Sequence, residues 1–381
     1  MFSGLLLTSF RVIVSLFIQY AIGAAVAWFG IVREADLRGF GAAMNTIFVP
    51  LLSIVALGRG LSVELFVSDG WVLALIGLVS MCEFAAIGLL LRLVALPSPA
   101  FRRPFVVAMA LPNVVAIPLS VTQSLCEMGA FDVEFETAAE CVLRARALVF
   151  MYVCFNSFNV WVVGFGYLAA DDISLDVRAV QTPGQDRWQR ARALALLGGK
   201  RSVALFRRPP VLGVIVGLII GLIRPVQEVL FAPGAALLPI GQALSALSEG
   251  AVPIVNLMLA FSLGHKLRAL KSWRELLGSK GAGISPRTMV TLTLGRMVLA
   301  PLCHGGVMYA VLGELPPSRL MRVIVFVEMA PPTASMVVVM LHLAKKPRSA
   351  QLVAWAIIPQ YLLATVTLTL TITFALAVTE W

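Results

Sequence analysis

Charge is scarce in this sequence. Only 13% of its 381 residues are Asp, Glu, Lys or Arg, against about 25% in a soluble globular domain. So few ionic groups cannot clothe a water-soluble chain of this length, which excludes a soluble enzyme and a disordered regulator. Histidine is rarer still, with three residues, and the five cysteines form no CxxC spacing. No HExxH occurs either, so neither a metal site nor a cofactor is expected. Five cysteines are also too few for a disulfide-rich secreted domain.

What is present is apolar surface. Hydrophobic residues make up 59% of the chain and the mean hydropathy is +0.92, values that place it in a bilayer. Crossing one takes about 20 mostly apolar residues. Such stretches occur near 8–30, 40–58, 70–93, 104–126, 143–168, 208–224, 235–264, 288–312, 322–343 and 350–378. The first, within MFSGLLLTSFRVIVSLFIQY, has no basic leader and no small-residue cleavage site, so it reads as a membrane helix rather than a removable signal. The sixth is short, and the seventh is long enough that its first half is expected to lie along the interface. No aspartate falls inside any of these spans. A polar stretch, 169–207, divides five spans (1–168) from five (208–381).

The net charge of +10 suggests orientation rather than nucleic-acid binding. With both termini outside, 22 Lys and Arg residues fall on the inner loops and six on the outer ones, among them Arg144 and Arg146. That bias puts the central loop in the cytoplasm and both termini in the lumen or exterior. The Arg-rich segment 187–208 then reads as an anchor to anionic lipid.

An odd number of spans in each half makes the second half enter inverted. Ala108-Met109-Ala110-Leu111-Pro112-Asn113 and Glu328-Met329-Ala330-Pro331-Pro332-Thr333 each lie in the fourth span of their half. Inverted repeats with matching proline-interrupted helices mark a secondary transporter. Pro112 and Pro118 in one span, and Pro331 and Pro332 in the other, each remove an amide donor mid-membrane. Such breaks persist where they are buried in protein or face a polar cavity. Their half-helix N-termini would offer amides and partial positive charge to an anion. Packing kinks are the alternative for any single break. Asn113, Thr333 and Ser335 stand beside the prolines; Asn113 can meet a carboxylate, satisfy freed backbone, or both.

Three carboxylates lie in or near spans. Glu83 is either a carrier of a coupling proton or a carboxyl paired with Arg11 or Arg296. Glu328, one turn before Pro331, is placed to tune anion binding or to hold a cation. Glu249 is expected to cap a helix start. His265 sits near a cytoplasmic helix end; His304 and His342, inside spans, are expected to bond neighbouring helices. Cys126 and Cys141 flank an acidic loop on the oxidising side, where a disulfide is open to them. The loop's Asp132, Glu134, Glu136 and Glu140 read as solvated surface.

Several segments also resemble one family. Arg208-Pro-Pro-Val-Leu-Gly-Val-Ile-Val-Gly-Leu-Ile-Ile-Gly is similar to the NPPTIGAIIGFIIG-type segment of the auxin efflux carrier superfamily, in particular its PIN-LIKES branch. LSEGAVPIVNLMLAFSLGHKL (247–267) resembles LGDAAIPxxxLxLGGNL, and RMVLAPL (296–302), MAPPTAS (329–335) and QYLLATVTLT (360–369) follow in family order. NVVAIPL (113–119) resembles NLGNLPL, and YVCF (152–155) resembles YVSF. The resemblance implies an all-α polytopic protein: ten helices in two inverted five-helix repeats, like sodium/proton antiporters and bile-acid transporters. It further implies a scaffold of helices one, two, six and seven, a transport domain of the others, and a homodimer. By that resemblance Asn113 and Pro118 would lie at the first crossover helix and Pro331 and Pro332 at the second, beside the substrate. Two family amides are replaced here, by Ala116 and Ser335. The central loop, about forty residues, suits the PIN-LIKES branch.

The reading is a secondary transporter, not an enzyme, moving a small organic anion such as auxin (indole-3-acetic acid) or a similar aromatic carboxylate. The expected membrane is the endoplasmic reticulum ahead of the plasma membrane. A membrane sensor for a sterol or other lipid is the alternative. A membrane hydrolase is disfavoured, since the spans hold no Ser-His pair and no aspartate dyad.

Overall fold

Every apolar stretch named above becomes helix, and proline and serine punctuate the chain where those helices begin. The computed structural model describes residues 2–33, 36–168, 207–269, 272, 284–311, 313 and 318–379. The central stretch 169–206, and with it most of the Arg-rich segment, lies outside the described residues. Among those described, the fold is all-helical, with no strand and one isolated backbone bridge.

Helix α1 is Phe2–Trp28, α2 Asp36–Ala43, α3 Val49–Gly60, α4 Trp71–Ala95, α5 Arg102–Ala110, α6 Ala116–Glu127 and α7 Ala138–Phe158. Helix α8 is Pro209–Leu222, α9 Arg224–Phe231, α10 Leu238–Glu249 and α11 Ala251–Ala269. The chain closes with α12 Pro286–Leu294, α13 Ala300–Ala310, α14 Arg319–Met329, α15 Met336–Leu343 and α16 Pro347–Val378. Pro209, Pro286 and Pro347 open their helices, where a missing N–H has no partner to lose. Ser285 and Ser318 cap α12 and α14, accepting the N–H of Thr288 and Met321.

Among the described residues, six helical segments are long and apolar enough to cross a membrane: Leu6–Trp28, Gly39–Gly60, Val63–Ala95, Leu238–Ala269, Pro286–Ala310 and Pro347–Val378. A seventh follows if α8 and α9, bent by 100° at their junction, form one span. Stripes of large apolar side chains remain exposed, such as Leu362, Val366 and Leu370 one turn apart on α16. A surface of that kind is stable against lipid, and the chain is an integral membrane protein.

Three details depart from the sequence reading. The third span begins earlier than expected, so Asp69 lies inside Val63–Ala95 and is buried, because the polar Ser68-Asp69-Gly70 is carried through in a π-helical turn. Arg144 and Arg146 belong to α7 itself rather than to a loop; Arg146 donates to Gln123 Oε1 at 3.2 Å. Glu249 ends α10 instead of capping a helix start, and its side chain is exposed.

Small residues decide which helices touch. On α8, Gly213, Gly217 and Gly221 lie one turn apart against α3, and a Cβ built on Gly221 would stand 2.4 Å from the Leu57 carbonyl oxygen. On α11, a Cβ at Gly264 would stand 2.3 Å from the carbonyl oxygen of Ala24 on α1. Lipid tails supply no hydrophobic drive between helices, so such close backbone approach is what holds the pairs. At the centre lie α5 and α14. Every residue of α14 from Val323 to Met329 is buried, as is Pro104 to Ala110 of α5.

The crossover as candidate functional site

Two of the sequence-predicted spans are broken where the prolines demand it. Helix α5 stops at Ala110 and α6 resumes at Ala116; α14 stops at Met329 and α15 resumes at Met336. Between the half-helices the chain is extended, and the two breaks lie side by side. Asn113 N–H donates to the Pro332 carbonyl at 2.9 Å and Ala334 N–H to the Leu111 carbonyl at 2.9 Å, around an antiparallel Pro112–Thr333 bridge. Each irregular segment thus satisfies the backbone polarity of the other, which a hydrocarbon surrounding requires.

The structure brings Pro112, Asn113, Pro331, Pro332 and Thr333 together at this crossing. Asn113 serves the backbone first: its Oδ1 accepts the Ala116 N–H at 3.2 Å, capping α6, while Nδ2 donates to the Tyr361 hydroxyl at 3.1 Å. An amide has a second N–H and a second lone pair beyond those two bonds. Thr333 Oγ1 donates to the Ala108 carbonyl at 2.7 Å, and its backbone N–H donates to Gln360 Oε1 at 2.9 Å. Ser335 is half-buried at the start of α15 and caps nothing with its side chain. Pro118 makes no break. It sits in the first turn of α6, where its absent N–H costs no helical bond, so it opens the second half-helix.

Arg296 holds the crossing from behind. Pro301 deprives its helix of one N–H and crowds the carbonyl four residues back, and the chain widens into a π-helical turn at Gly295–Leu299. That turn carries Arg296, which is wholly buried. Its Nε donates to the Pro331 carbonyl at 3.0 Å, Nη2 to that of Met329 at 2.7 Å and Nη1 to that of Met109 at 3.4 Å. One guanidinium therefore caps the C-terminal ends of α5 and α14 together, where the helix dipoles are negative. Its other face lies 4.5 Å from the centre of the Phe84 ring.

The two carboxylates fare differently. Glu83 pairs with neither Arg11 nor Arg296; its Oε2 lies 2.8 Å from Nδ1 of the buried His304. This is the interhelical bond expected of His304, with Glu83 as its partner, whereas His342 is exposed. Glu328 is wholly buried in the last turn of α14, and neither carboxyl oxygen has a hydrogen-bond partner. A buried carboxyl without a partner is costly, and an intramembrane ionisable group of that kind points to function.

Sequence reasoning missed the polar line running outward from Asn113. The Tyr361 ring meets Tyr20 edge-on at 6.1 Å between centres. Tyr20 donates to Asn256 Oδ1 at 3.5 Å, and Asn256 Nδ2 donates to Ser120 Oγ at 3.1 Å and Gln19 Oε1 at 3.5 Å. These residues join α1 and α11 to α6 and α16, along the seam between the α1–α11 pair and the crossover. The signal was available: Asn256 and Gln360 are polar residues inside long apolar runs. On the far side, Gly77, Ser80, Phe84, Pro112 and Tyr152 close around a narrow crevice too tight to admit a ligand. There the Ser80 and Tyr152 hydroxyls share a hydrogen bond at 2.6 Å.

The loop after α6 is organised rather than merely solvated. Cys126 and Cys141 form a disulfide across it. The Glu134 carboxylate accepts the N–H groups of Arg319 and Leu320 at 2.6 and 3.2 Å, capping α14 and so anchoring the second broken helix to the first half.

The comparison with known proteins agrees with this architecture. The membrane transport protein family model matches residues 8–372. Protein PIN-LIKES 7 of Arabidopsis thaliana is 27% identical over 128 residues, which cover 33% of this chain and 29% of that relative. With nearly its whole length matched, the chain belongs to the membrane transport protein family.

Proposed function

We propose that this membrane transporter carries a small organic anion, with auxin or a similar aromatic carboxylate as substrate, by alternating access around the crossover. The observation that carries the proposal is the mutual pairing of two broken helices at Asn113–Pro332 and Leu111–Ala334. Such a crossing has value only where something binds or moves, since two unbroken helices would satisfy the same backbone at lower cost. The substrate carboxylate would meet the half-helix starts near Pro118 and Ser335. The second Nδ2 proton of Asn113 would serve as donor, and the edges of Tyr20 and Tyr361 would hold an aromatic ring.

The proposal includes ten spans in two inverted repeats. The helix pairs support it: α1 packs on α11 and α3 on α8, and exchanging first-half with second-half spans maps one pair onto the other. Those four would form the scaffold, with the remaining spans moving against them as a transport domain and two chains assembling as a dimer. Both termini would face the lumen or exterior, with the central loop in the cytoplasm and the endoplasmic reticulum as the expected membrane. The Cys126–Cys141 disulfide supports placing the loop between α6 and α7 on the oxidising side, opposite the central loop. Glu328, unpartnered, is proposed as the coupling group for a proton or cation, with the Glu83–His304 pair as the second candidate.

A binding panel tests the substrate class. Purified protein is titrated with indole-3-acetate, benzoate, a neutral indole and a sterol while thermal unfolding is followed. Stabilisation by the carboxylates alone, weakened in Tyr361→Phe and Asn113→Ala, is the expected result. Stabilisation by the sterol alone would refute the anion assignment.

A further inference from the structure

Helix α6 has an open face made of polar residues alone. Of its twelve residues, Ser120, Gln123, Ser124 and Glu127 are partly or fully exposed, and every apolar one is buried. A helix facing lipid shows the reverse, as α16 does with Leu362, Val366 and Leu370 exposed. The matching half-helix α15 also differs, since Met336, Val338 and Val339 stand on its partly open face. Hydrocarbon offers no partner to a row of hydroxyl, amide and carboxylate groups, so the open face of α6 is one that meets water.

This face runs outward from the crossover. Ser120 lies one turn beyond Ala116, where α6 starts, and Glu127 ends the helix beside the disulfide loop. Ser120 Oγ accepts from Asn256 Nδ2 at 3.1 Å. Gln123 Oε1 accepts from Arg146 at 3.2 Å, while its Nε2 donates to Glu127 Oε1 at 2.8 Å. A second polar row descends α1, where Arg11, Ser15 and Gln19, each one turn from the next, are exposed. It lies directly beside the exposed apolar row Phe10, Val14 and Ile18, so α1 turns one strip to lipid and the other to something polar. The two polar rows converge on one amide, because Asn256 Nδ2 also reaches Gln19 Oε1 at 3.5 Å. Arg146 is half-buried on α7, and ionisable side chains within membrane helices face a bundle interior or a water-filled cavity.

We infer that the two rows bound a water-filled passage from the disulfide-loop face to the crossover, and that Arg146 makes it selective for anions. Gln123 holds one of the five N–H donors of that guanidinium at the middle of the α6 row. Of its charged neighbours, Glu249 and Arg59 are opposite in sign, and Glu127, at the outer end of the row, is engaged by Gln123. A cation fixed in an aqueous cleft with low-dielectric walls concentrates anions and repels cations. That a carboxylate substrate takes this route rests on the function proposed above; the water and the charge preference do not.

The test reads both properties in the full chain, held in phosphatidylcholine nanodiscs with Cys82, Cys154 and Cys303 replaced by alanine and the disulfide kept. Ser124→Cys on α6 and Val366→Cys on α16 are each challenged with an anionic and a cationic methanethiosulfonate of similar size. The reactive form is the thiolate, which needs water, so Ser124→Cys should react about a hundredfold faster than Val366→Cys. Its preference for the anionic reagent should fall about tenfold in Arg146→Gln and be kept in Arg146→Lys, which separates charge from packing. Added salt should reduce the same preference without any substitution at Arg146, and thermal unfolding shows that each variant is folded. Equal reaction at the two cysteines would overturn the passage. An unchanged preference in folded Arg146→Gln, or one insensitive to salt, would overturn the selectivity. Neither reagent is the substrate and indole-3-acetate transport is measured separately, so failure here is told apart from failure of the substrate assignment.

Discussion

Replacing Arg296 with methionine removes one side chain and strands three carbonyls, those of Met109, Met329 and Pro331. All three lie where water cannot replace the lost donor, at the C-terminal ends of α5 and α14. Hydrogen bonds inside membranes contribute about 0.6 kcal/mol on average and about 1.7 at most, so three of them sum to about 2–5 kcal/mol. The buried cation's desolvation cost disappears with it and pulls the net value toward the lower end. Lysine at the same place keeps the charge but not the planar fork that reaches three oxygens in different directions, and should recover about half of the loss. Unfolding in dodecylmaltoside micelles by graded urea or sodium dodecyl sulfate measures both variants. The reasoning predicts native > Lys > Met in stability, with transport impaired in both because the crossing loses its alignment. An Arg296→Met protein within about 0.5 kcal/mol of the native one, transporting normally, would refute the clamp.

Other consequences follow from the same contacts. Reduction of Cys126–Cys141, or Cys126→Ser, should lower stability by about 3 kcal/mol for a loop of this size; melting with and without dithiothreitol reads it, and an unchanged midpoint would contradict the link. Glu134→Gln should cost about 1 kcal/mol by weakening the cap on α14 and leave substrate affinity unchanged, as unfolding and binding assays would show. Gly217→Leu drives a side chain into the α3 backbone and should destabilise by about 1–3 kcal/mol; normal yield and melting would show the α3–α8 contact to be looser than described. Glu328→Gln should abolish any proton or cation dependence of transport, while Glu83→Gln should alter it only through the His304 contact. The reverse pattern would exchange their roles.

The broken helices were legible because proline acts locally: Pro112 and the Pro331-Pro332 pair each remove a donor and crowd the preceding turn, although the lone Pro359 is carried inside α16. The similar sequences around the two breaks pointed to a pair, and the structure places Pro112 and Thr333 side by side. Pro118 was misjudged because a proline breaks a helix interior but suits its first turn, and only the structure says which it occupies. Arg296 was seen as a residue within a span, but its partners are backbone carbonyls, which carry no signature in a sequence. Glu134 was taken for solvated surface for the same reason, since the amides it accepts belong to a helix 185 residues away. The Tyr20–Asn256–Ser120 contacts depend on which helices become neighbours, a choice made by glycine stripes whose partners could not be read from α8 or α11 alone.

Current on a solid-supported membrane, from liposomes holding the purified protein and challenged with indole-3-acetate, tests the central claim most directly. The account predicts a saturable current that is lost in Asn113→Ala while the variant remains folded. A current of native size in Asn113→Ala, or none from the native protein across a panel of carboxylates, would contradict it.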